Sequence, residues 1–472
     1  MATPPIVVLG AGIAGLATAW KLAQLGQGPV VVLERTALAG GLAGTAPFAG
    51  IRFDLGSHRV HPDYYAEALD LLRALLGDDL LRVPRHGRLR FNGRYIDYPP
   101  SLVDFLAALG PREMAHCAWT LAGARLAPPA GNGGRSYQDY LLPKVGRRAF
   151  DLFYAPYARK IFGLEPDRVA ATAAKTRIAT ASPWTVAVQL MRRGLGRAAR
   201  GDRFYFYPRH GFGSIGDGLA AAAVQAGVDV RTGVTVRALR GDGRRVAEVS
   251  IEQDGVASRL AARAVVSSVP LAVLTRLLDP TAPDTVCAAA DGLRWRGIRL
   301  LQVVLARERC LDGETYYFPE ERYCFGRISE PTLFSAALRD TPDRTGLNIE
   351  VICSPGDALW ELPEEQFQAR VFADIAALGL FRADEVLAAR SVRLPAVYPV
   401  YDIEHHDRLA AVFAWLRGYD NLYSIGRGGQ FLHANTDHSI HLGLRVAEHL
   451  AQPDARSGAF DGALPPGVTV RD

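Results

Sequence analysis

At 472 residues the chain exceeds the ~250 to 300 over which single hydrophobic cores keep growing, so two or more domains are expected. Hydrophobic residues make up 49% and charged residues 22%, with no long polar or like-charge run, which excludes a disordered chain. The net charge of +5 is spread along the sequence rather than gathered into basic blocks or an aromatic-interleaved stripe, which argues against a nucleic-acid partner.

Nearly all the positive charge is arginine, since the only lysines are Lys21, Lys144, Lys160 and Lys175. Five cysteines, Cys117, Cys287, Cys310, Cys324 and Cys353, form no CxxC pair and no ligand-spaced cluster with histidine, so neither a metal site nor a disulfide framework is expected. No run of ~18 apolar residues occurs and no basic segment precedes the first apolar stretch, so a cytoplasmic protein without a transmembrane segment is expected. Peripheral membrane contact and oligomeric state stay open.

In chain order, an apolar run from Ile6 to Leu9 meets a Gly-rich turn. Helix-period apolar residues then run from Leu16 to Leu25, and a second apolar run, Val30 to Leu33, ends in Glu34. This β-α-β unit predicts a right-handed parallel crossover. Helical patterns follow from Tyr64 to Leu81 and from Ser101 to Leu126, separated by a hairpin, "GRLRFNGRYIDYPP", whose Asn92-Gly93 suits a type I′ turn. "APPAGNGGRS" (Ala127 to Ser136) reads as a linker, with more helix to about Arg200. "FYFYPRHGFGSIGDGLAAAAVQAG" reads as strand, turn and helix, and three strands follow it. Segments near Leu300 to Ala306, Thr315 to Phe318, Cys324 to Ile328 and Leu347 to Ile352 predict a second, antiparallel sheet, before a helix-rich stretch from Glu364 to Leu387. The chain closes with a strand, the loop "SIGRGGQFLHANTDHSI" and a helix from about Ser439 to Leu450.

Gly10, Gly12 and Gly15 of "GAGIAG" have the G-x-G-x-x-G spacing between a strand and a helix. The first allows the tight turn, the second lets a pyrophosphate approach the backbone, and the third lets helix pack on strand. Glu34 lies at the end of the second strand, about twenty residues on, where a carboxylate binds ribose hydroxyls. That points to an unphosphorylated adenosine ribose, common to NAD and FAD; Arg35 beside it either admits a 2′-phosphate or is solvated. A further Gly-Gly turn at Gly40 and Gly41, then a strand ending in Gly56, Ser57 and His58, favours FAD.

The ordered set "GAGIAGL", "LERTALAGGLA", "FDLGSHR", "YPRHGFGSIGDGLA", "VVSSVP" and "GRGGQFLHANTDHSIHLGLRVAEHL" resembles the flavoprotein superfamily of protoporphyrinogen-oxidase-like enzymes, flavin amine oxidases, carotenoid desaturases and UDP-galactopyranose mutase. "FNGRYIDYPP", "FYAPYARKIFGLEP" and "CFGRISEPTLFS" are most similar to its protoporphyrinogen-oxidase-like and mutase-like branch. The resemblance implies an α/β, two-domain, FAD-binding Rossmann-type (glutathione-reductase-like) fold with an inserted α+β substrate domain. Residues 1–65, 203–290 and 390–455 would form the FAD domain, and 66–202 and 291–389 the substrate domain.

Carried over by position, the resemblance puts Gly10, Gly12, Ala14 and Gly15 on the pyrophosphate. Glu34 and Arg35 fall at the adenosine ribose, Gly40, Gly41 and Leu42 on the phosphate and ribityl side, and Val234 at the adenine. Gly56, Ser57, His58 and Arg59 come beside the isoalloxazine. From the late loop and helix start it adds Gly426, Arg427, Phe431, Asp437, Ser439 and Ile440. A helix N-terminus there would stabilise negative charge on the reduced ring, and with no cysteine in the late motif the FAD would be noncovalent.

Two reactions fit such a site: an oxidoreductase passing substrate hydride to flavin N5, and a redox-neutral nucleotide-sugar mutase using reduced FAD. Flavin amine oxidases place a lysine near N5, but here the corresponding stretch, "GLRWRGIRLLQVVLA", carries Arg294, Arg296 and Arg299. The mutase pattern is matched at Tyr157 and Lys160 but departs at Phe162, where a tryptophan is usual. The expected activity is therefore FAD-dependent oxidation of a small biosynthetic metabolite. His58 and Arg59 are the candidate catalytic residues, as a base and as a grip on carboxylate or phosphate, with His61 nearby. Tyr316, Tyr317, Tyr398 and Tyr401 are candidates for the pocket wall.

Overall fold

A computed structural model describes residues 3–98, 102–126, 134–177, 204–452 and 455–456. Residues 127–133 of the expected linker, and the stretch 178–200 expected to continue the helix, lie outside the described residues.

Three apolar runs far apart in sequence, Ile6–Leu9, Val30–Leu33 and Ala264–Ser267, are buried at every position. Runs without alternation suit a parallel sheet covered on both faces. They form its centre, with Leu422–Ser424 at one edge and Asp229–Arg231 at the other. Every neighbouring pair is parallel, with Ile6 opposite both Val30 and Ala264. Period-two geometry sends Ile6 and Val8 to one core and Val7 and Leu9 to another. Helix Ile13–Gln24 packs on the first face beside helices Gly213–Gln225 and Thr436–Leu450. A Cβ on Gly443 would stand 2.6 Å from the Ala14 carbonyl oxygen, so glycine is what lets the last helix dock against the first.

A four-stranded sheet (Val256–Ala261, Val246–Gln253, Val234–Gly241, Leu278–Asp279) covers the other face. A mixed sheet of seven strands runs Val386–Pro399, Trp295–Leu305, Thr345–Ile352, Arg327–Ser329, Thr315–Tyr317, Arg88–Phe91, Arg94–Asp97. All its pairs are antiparallel except Thr315–Tyr317 with Arg88–Phe91. The chain is thus a mixed α/β protein with parallel and antiparallel sheets. No helix among the described residues is long and apolar enough to cross a membrane.

The Asn92-Gly93 hairpin has positive φ at both residues, 48° and 78°, as a type I′ turn requires, and it supplies the last two strands of the large sheet, with Arg94–Asp97 at the edge. Two expected helices are shorter than their patterns. That of Tyr64 to Leu81 is Ala66–Leu76, because Gly77 ends it and Leu80–Pro84 leaves as a strand paired with Phe204–Pro208. That of Ser101 to Leu126 is two helices, Leu102–Leu109 and Pro111–Leu126, broken at Gly110 (φ 77°) ahead of a proline that cannot continue the backbone ladder.

Candidate functional site

The C-terminal ends of the parallel strands open into a cavity of about 380 Å3. At one end the Ile6–Leu9 strand turns through Gly10 into helix Ile13–Gln24, whose N-cap, Gly12, has no neighbour within 4 Å of where a Cβ would stand. Gly10, Gly12 and Ala14 line the cavity. Gly15 does not; a Cβ there would come within 2.0 Å of the Gly10 oxygen, so its role is the approach of helix to turn. No side chain caps this helix, which leaves its first amides and positive dipole end to the cavity.

Glu34 also lines the cavity, and its carboxylate accepts from the backbone amides of Ala11 (2.9 Å) and Thr36 (2.8 Å). The carboxylate thereby ties the first turn to the second strand. Arg35 is exposed and does not line the cavity. Val234 is buried in the core, touching the site only through its amide, which donates to the Glu34 carbonyl at 2.8 Å. The second glycine loop rests on the first: the Gly40 amide donates to Ala11 O at 2.8 Å, and a Cβ on Gly41 would stand 3.3 Å from the Gly12 Cα. Gly40, Gly41 and Leu42 all line the cavity.

At the other end the strand Ile51–Asp54 leads into Gly56, Ser57, His58 and Arg59, all cavity-lining. The Ser57 amide donates to Glu350 Oε1 at 2.7 Å, and the other Glu350 oxygen pairs with Arg327 at 2.7 Å. Asn348, two residues before Glu350 in the same strand, donates to Asp54 O at 2.9 Å. One strand of the large sheet thus fixes this loop and, through Arg327, puts a cation on the cavity wall. The His58 ring stacks on Phe212 at 4.8 Å. Burial, together with the guanidinium groups of Arg327, Arg427 and Arg59, pushes the His58 imidazole down to about 3. It is neutral near pH 7 and a weak base there, whereas a general base works best with a pKa near the operating pH. Burial works against the Arg59 charge, but Tyr317 and Tyr205 beside it hold its proton more tightly than usual.

The late loop closes the cavity. Gly426 lines it, and a Cβ on this glycine would sit 2.9 Å from the Ala14 Cβ, so the two chain ends meet here. Arg427 also lines it while donating to the carbonyls of Ala434 and, at 2.9 Å, Val397. The helix begins at Thr436, earlier than the expected Ser439, because Asn435 serves as N-cap with its amide donating to His438 Nδ1 at 3.0 Å. Thr436 and Ser439 face the cavity; Asp437 and Ile440 are buried behind it. Phe431 is also buried outside it, its ring edge-on to the cavity-lining Trp295 at 5.1 Å.

Arg294, Arg296 and Arg299, expected near the chemistry, do not line the cavity. They pair instead with Asp402 (3.4 Å), Asp357 (2.6 Å) and Glu364 (2.8 Å), and Arg299 is wholly buried over the Phe367 ring. Lys160 is also elsewhere, donating to the carbonyls of Phe318 (2.6 Å) and Glu320 (2.8 Å). Of the four tyrosines, Tyr398 lines the cavity, Tyr317 reaches it through Arg59, and Tyr401 accepts from the amide of His433, which lines it. Tyr316 packs on Tyr95. His61 lies edge-on to Tyr205, outside the cavity. Sequence reading missed Trp295, Arg327, Phe212, His433 and Glu350. A signal existed for the last: Asn348 and Glu350 are polar interruptions in a strand buried at nearly every position.

Two glycine turns at the ends of parallel strands, continuous with an aromatic and cationic chamber, form an arrangement that would suit a nucleotide cofactor in a mixed α/β protein. The chain belongs to the flavin containing amine oxidoreductase family, which matches residues 13–451. It is 26% identical over 420 residues to a zeta-carotene-forming phytoene desaturase of Myxococcus xanthus, covering 79% of this chain and 77% of that one. Among solved structures it resembles a reduced UDP-galactopyranose mutase (TM-score 0.80, 19% identity, 95% of each chain). It also resembles a putrescine oxidase bound to putrescine (TM-score 0.62, 17% identity, 95% of this chain and 98% of that one). At these identities the solved structures show a shared fold. The family makes this chain a flavin-dependent oxidoreductase.

Proposed function

We propose that the chain binds FAD noncovalently and oxidises a small biosynthetic metabolite by hydride transfer to the flavin N5. Residues 1–65, 203–290 and 390–455 serve the cofactor in this reading, and 66–202 and 291–389 the substrate. The observation that carries it is the continuity of one cavity from the two stacked glycine loops to the chamber of His58, Trp295, Tyr398 and Arg427. That shape suits an elongated ligand with a pyrophosphate in the middle, and among the described residues no cysteine lines it.

FAD, when bound, supplies the hydride acceptor. The chain's own residues supply the rest. The first-turn amides of helix Ile13–Gln24 take the pyrophosphate, Glu34 the ribose hydroxyls, and Gly40 and Gly41 the close backbone approach. Arg327, Arg427 and Arg59 give the far end a positive potential that favours negative charge developing there. His58, held neutral, orients rather than titrates.

The test is anaerobic mixing of purified enzyme with candidate metabolites while the visible flavin band is followed. Bleaching by one of them, reversed by an electron acceptor, supports the proposal. Turnover seen only after chemical reduction of the flavin, with no net electron transfer, would replace it by a redox-neutral isomerase.

A further inference from the structure

Three cavity-lining residues, Gly56, Ser57 and Arg327, converge on one acid that stands behind the cavity wall. Glu350 is 2% exposed and lies in strand Thr345–Ile352 directly opposite Arg327, while the Gly326 amide donates to the Glu350 carbonyl at 2.9 Å. Period-two geometry puts Asn348 and Glu350 on one face of that strand, toward Ile51–Asp54 and the turn that follows it. Asn348 holds Asp54 O at 2.9 Å. Glu350 Oε1 accepts from the Ser57 amide and Oε2 from Arg327 Nη2, each at 2.7 Å. The turn passes close over the carboxylate. At Gly56, whose φ of 136° favours glycine, an added Cβ would stand 3.8 Å from Glu350 Oε1 and 3.4 Å from His58 Cε1.

A carboxylate accepts on both of its sides, from a backbone amide and from a guanidinium; a glutamine amide in its place would meet Arg327 with donors. Burial opposes the Arg327 charge, but Glu350, with Tyr398 and Tyr317, holds its proton more tightly than usual. The neighbouring cavity arginines are held differently. Arg59 donates to the Tyr317 hydroxyl, and Arg427 to the carbonyls of Ala434 and Val397, partners that carry no full charge. Glu350 therefore decides how much of the positive potential at this end of the cavity is cancelled. We propose that Glu350 is a positioning residue for the flavin: it locks Arg327 against the Gly56–Ser57 turn and, by cancelling its charge there, limits how strongly the chamber favours reduced over oxidised cofactor. This deepens the oxidoreductase reading and rests on its placing of the flavin ring at the His58 end.

The test is the midpoint potential of the FAD-loaded enzyme, read anaerobically against a reference dye, which gives the ratio of affinities for reduced and oxidised flavin. Glu350→Gln leaves Arg327 uncancelled and should raise that ratio by roughly tenfold or more. Glu350→Gln combined with Arg327→Gln removes both charges and should return the ratio to within about threefold of the parent. A merely structural role would leave the double variant no closer to the parent than the single one. A ratio unchanged or lowered in Glu350→Gln overturns the proposal, as does a double variant displaced as far as the single. Should Glu350→Gln not fold, Arg327→Gln decides. In alkaline buffer, where the carboxylate left behind is ionised, it should move the ratio the opposite way by roughly tenfold, and no movement overturns the proposal. Yellow enzyme without these shifts refutes this inference and spares the flavin reading; parent protein that takes up no FAD refutes both.

Discussion

Two alanine substitutions three residues apart should separate cofactor binding from folding. At Gly12 the added methyl meets no protein atom within 4 Å, and the residue already has an extended backbone open to any side chain (φ −72°, ψ 173°). Gly12→Ala should therefore change the unfolding free energy of the FAD-free protein by no more than about 1 kcal/mol, the usual cost of alanine at an N-cap. The same methyl projects into the space where the pyrophosphate would lie. Losing one hydrogen bond to a charged group costs about 1.5 to 3 kcal/mol, roughly 10- to 150-fold in the dissociation constant. At Gly15 the methyl would stand 2.0 Å from the backbone oxygen of Gly10 and 3.2 Å from the Val8 side chain at Cγ1. Relief requires moving the helix off the turn, so Gly15→Ala should lose about 1 to 3 kcal/mol of stability, the range for overpacking. Urea denaturation of both apo-variants, with fluorescence titration by FAD, reads the two effects separately. If Gly12→Ala bound FAD as tightly as the parent, the pyrophosphate could not lie over that turn.

Three further outcomes follow from the same geometry. Glu34→Ala should weaken FAD binding by at least tenfold in a fluorescence titration, because it removes both the ribose acceptor and the carboxylate that orders the Ala11 and Thr36 amides. Asp54 accepts from Thr45, Tyr207 and the Phe212 amide, and burial pushes its carboxyl up to about 6. A raised acid favours the folded state while protonated, so its contribution is present below about pH 4 and is lost as pH rises through 6, on the order of 3 kcal/mol. Asp54→Asn should flatten that part of the stability profile measured by denaturation between pH 4 and 7. His58 is depressed, so its stabilising effect is present above about pH 6.5 and lost as pH falls below it; its ring resonances in NMR should show no protonation between pH 5 and 8.

The glycine-loop half of the cavity was legible because its signals are local. Strand, glycine turn, helix and acidic strand end occupy one short stretch, and each step has its own residue requirement. The late loop was legible as a glycine turn before a helix, but its partners were not, since Gly426 meets Ala14 across almost the whole chain. The chamber was the least legible part. Ser57 and Glu350 are 293 residues apart in sequence, and nothing in either neighbourhood names the other. Strand alternation places side chains on two faces without saying which face meets the cavity. Arg299 therefore stood out where Arg327 did not, yet Arg299 is consumed by Glu364, Ser391 and the carbonyls around Leu362.

Cofactor content tests the central claim most directly. Protein purified without added flavin, or after incubation with FAD, is denatured, and the released small molecules are separated and identified. Noncovalent FAD in stoichiometric amount, leaving a colourless polypeptide, is the expected result. Colourless protein that takes up no FAD, or colour that stays with the denatured chain, would contradict it.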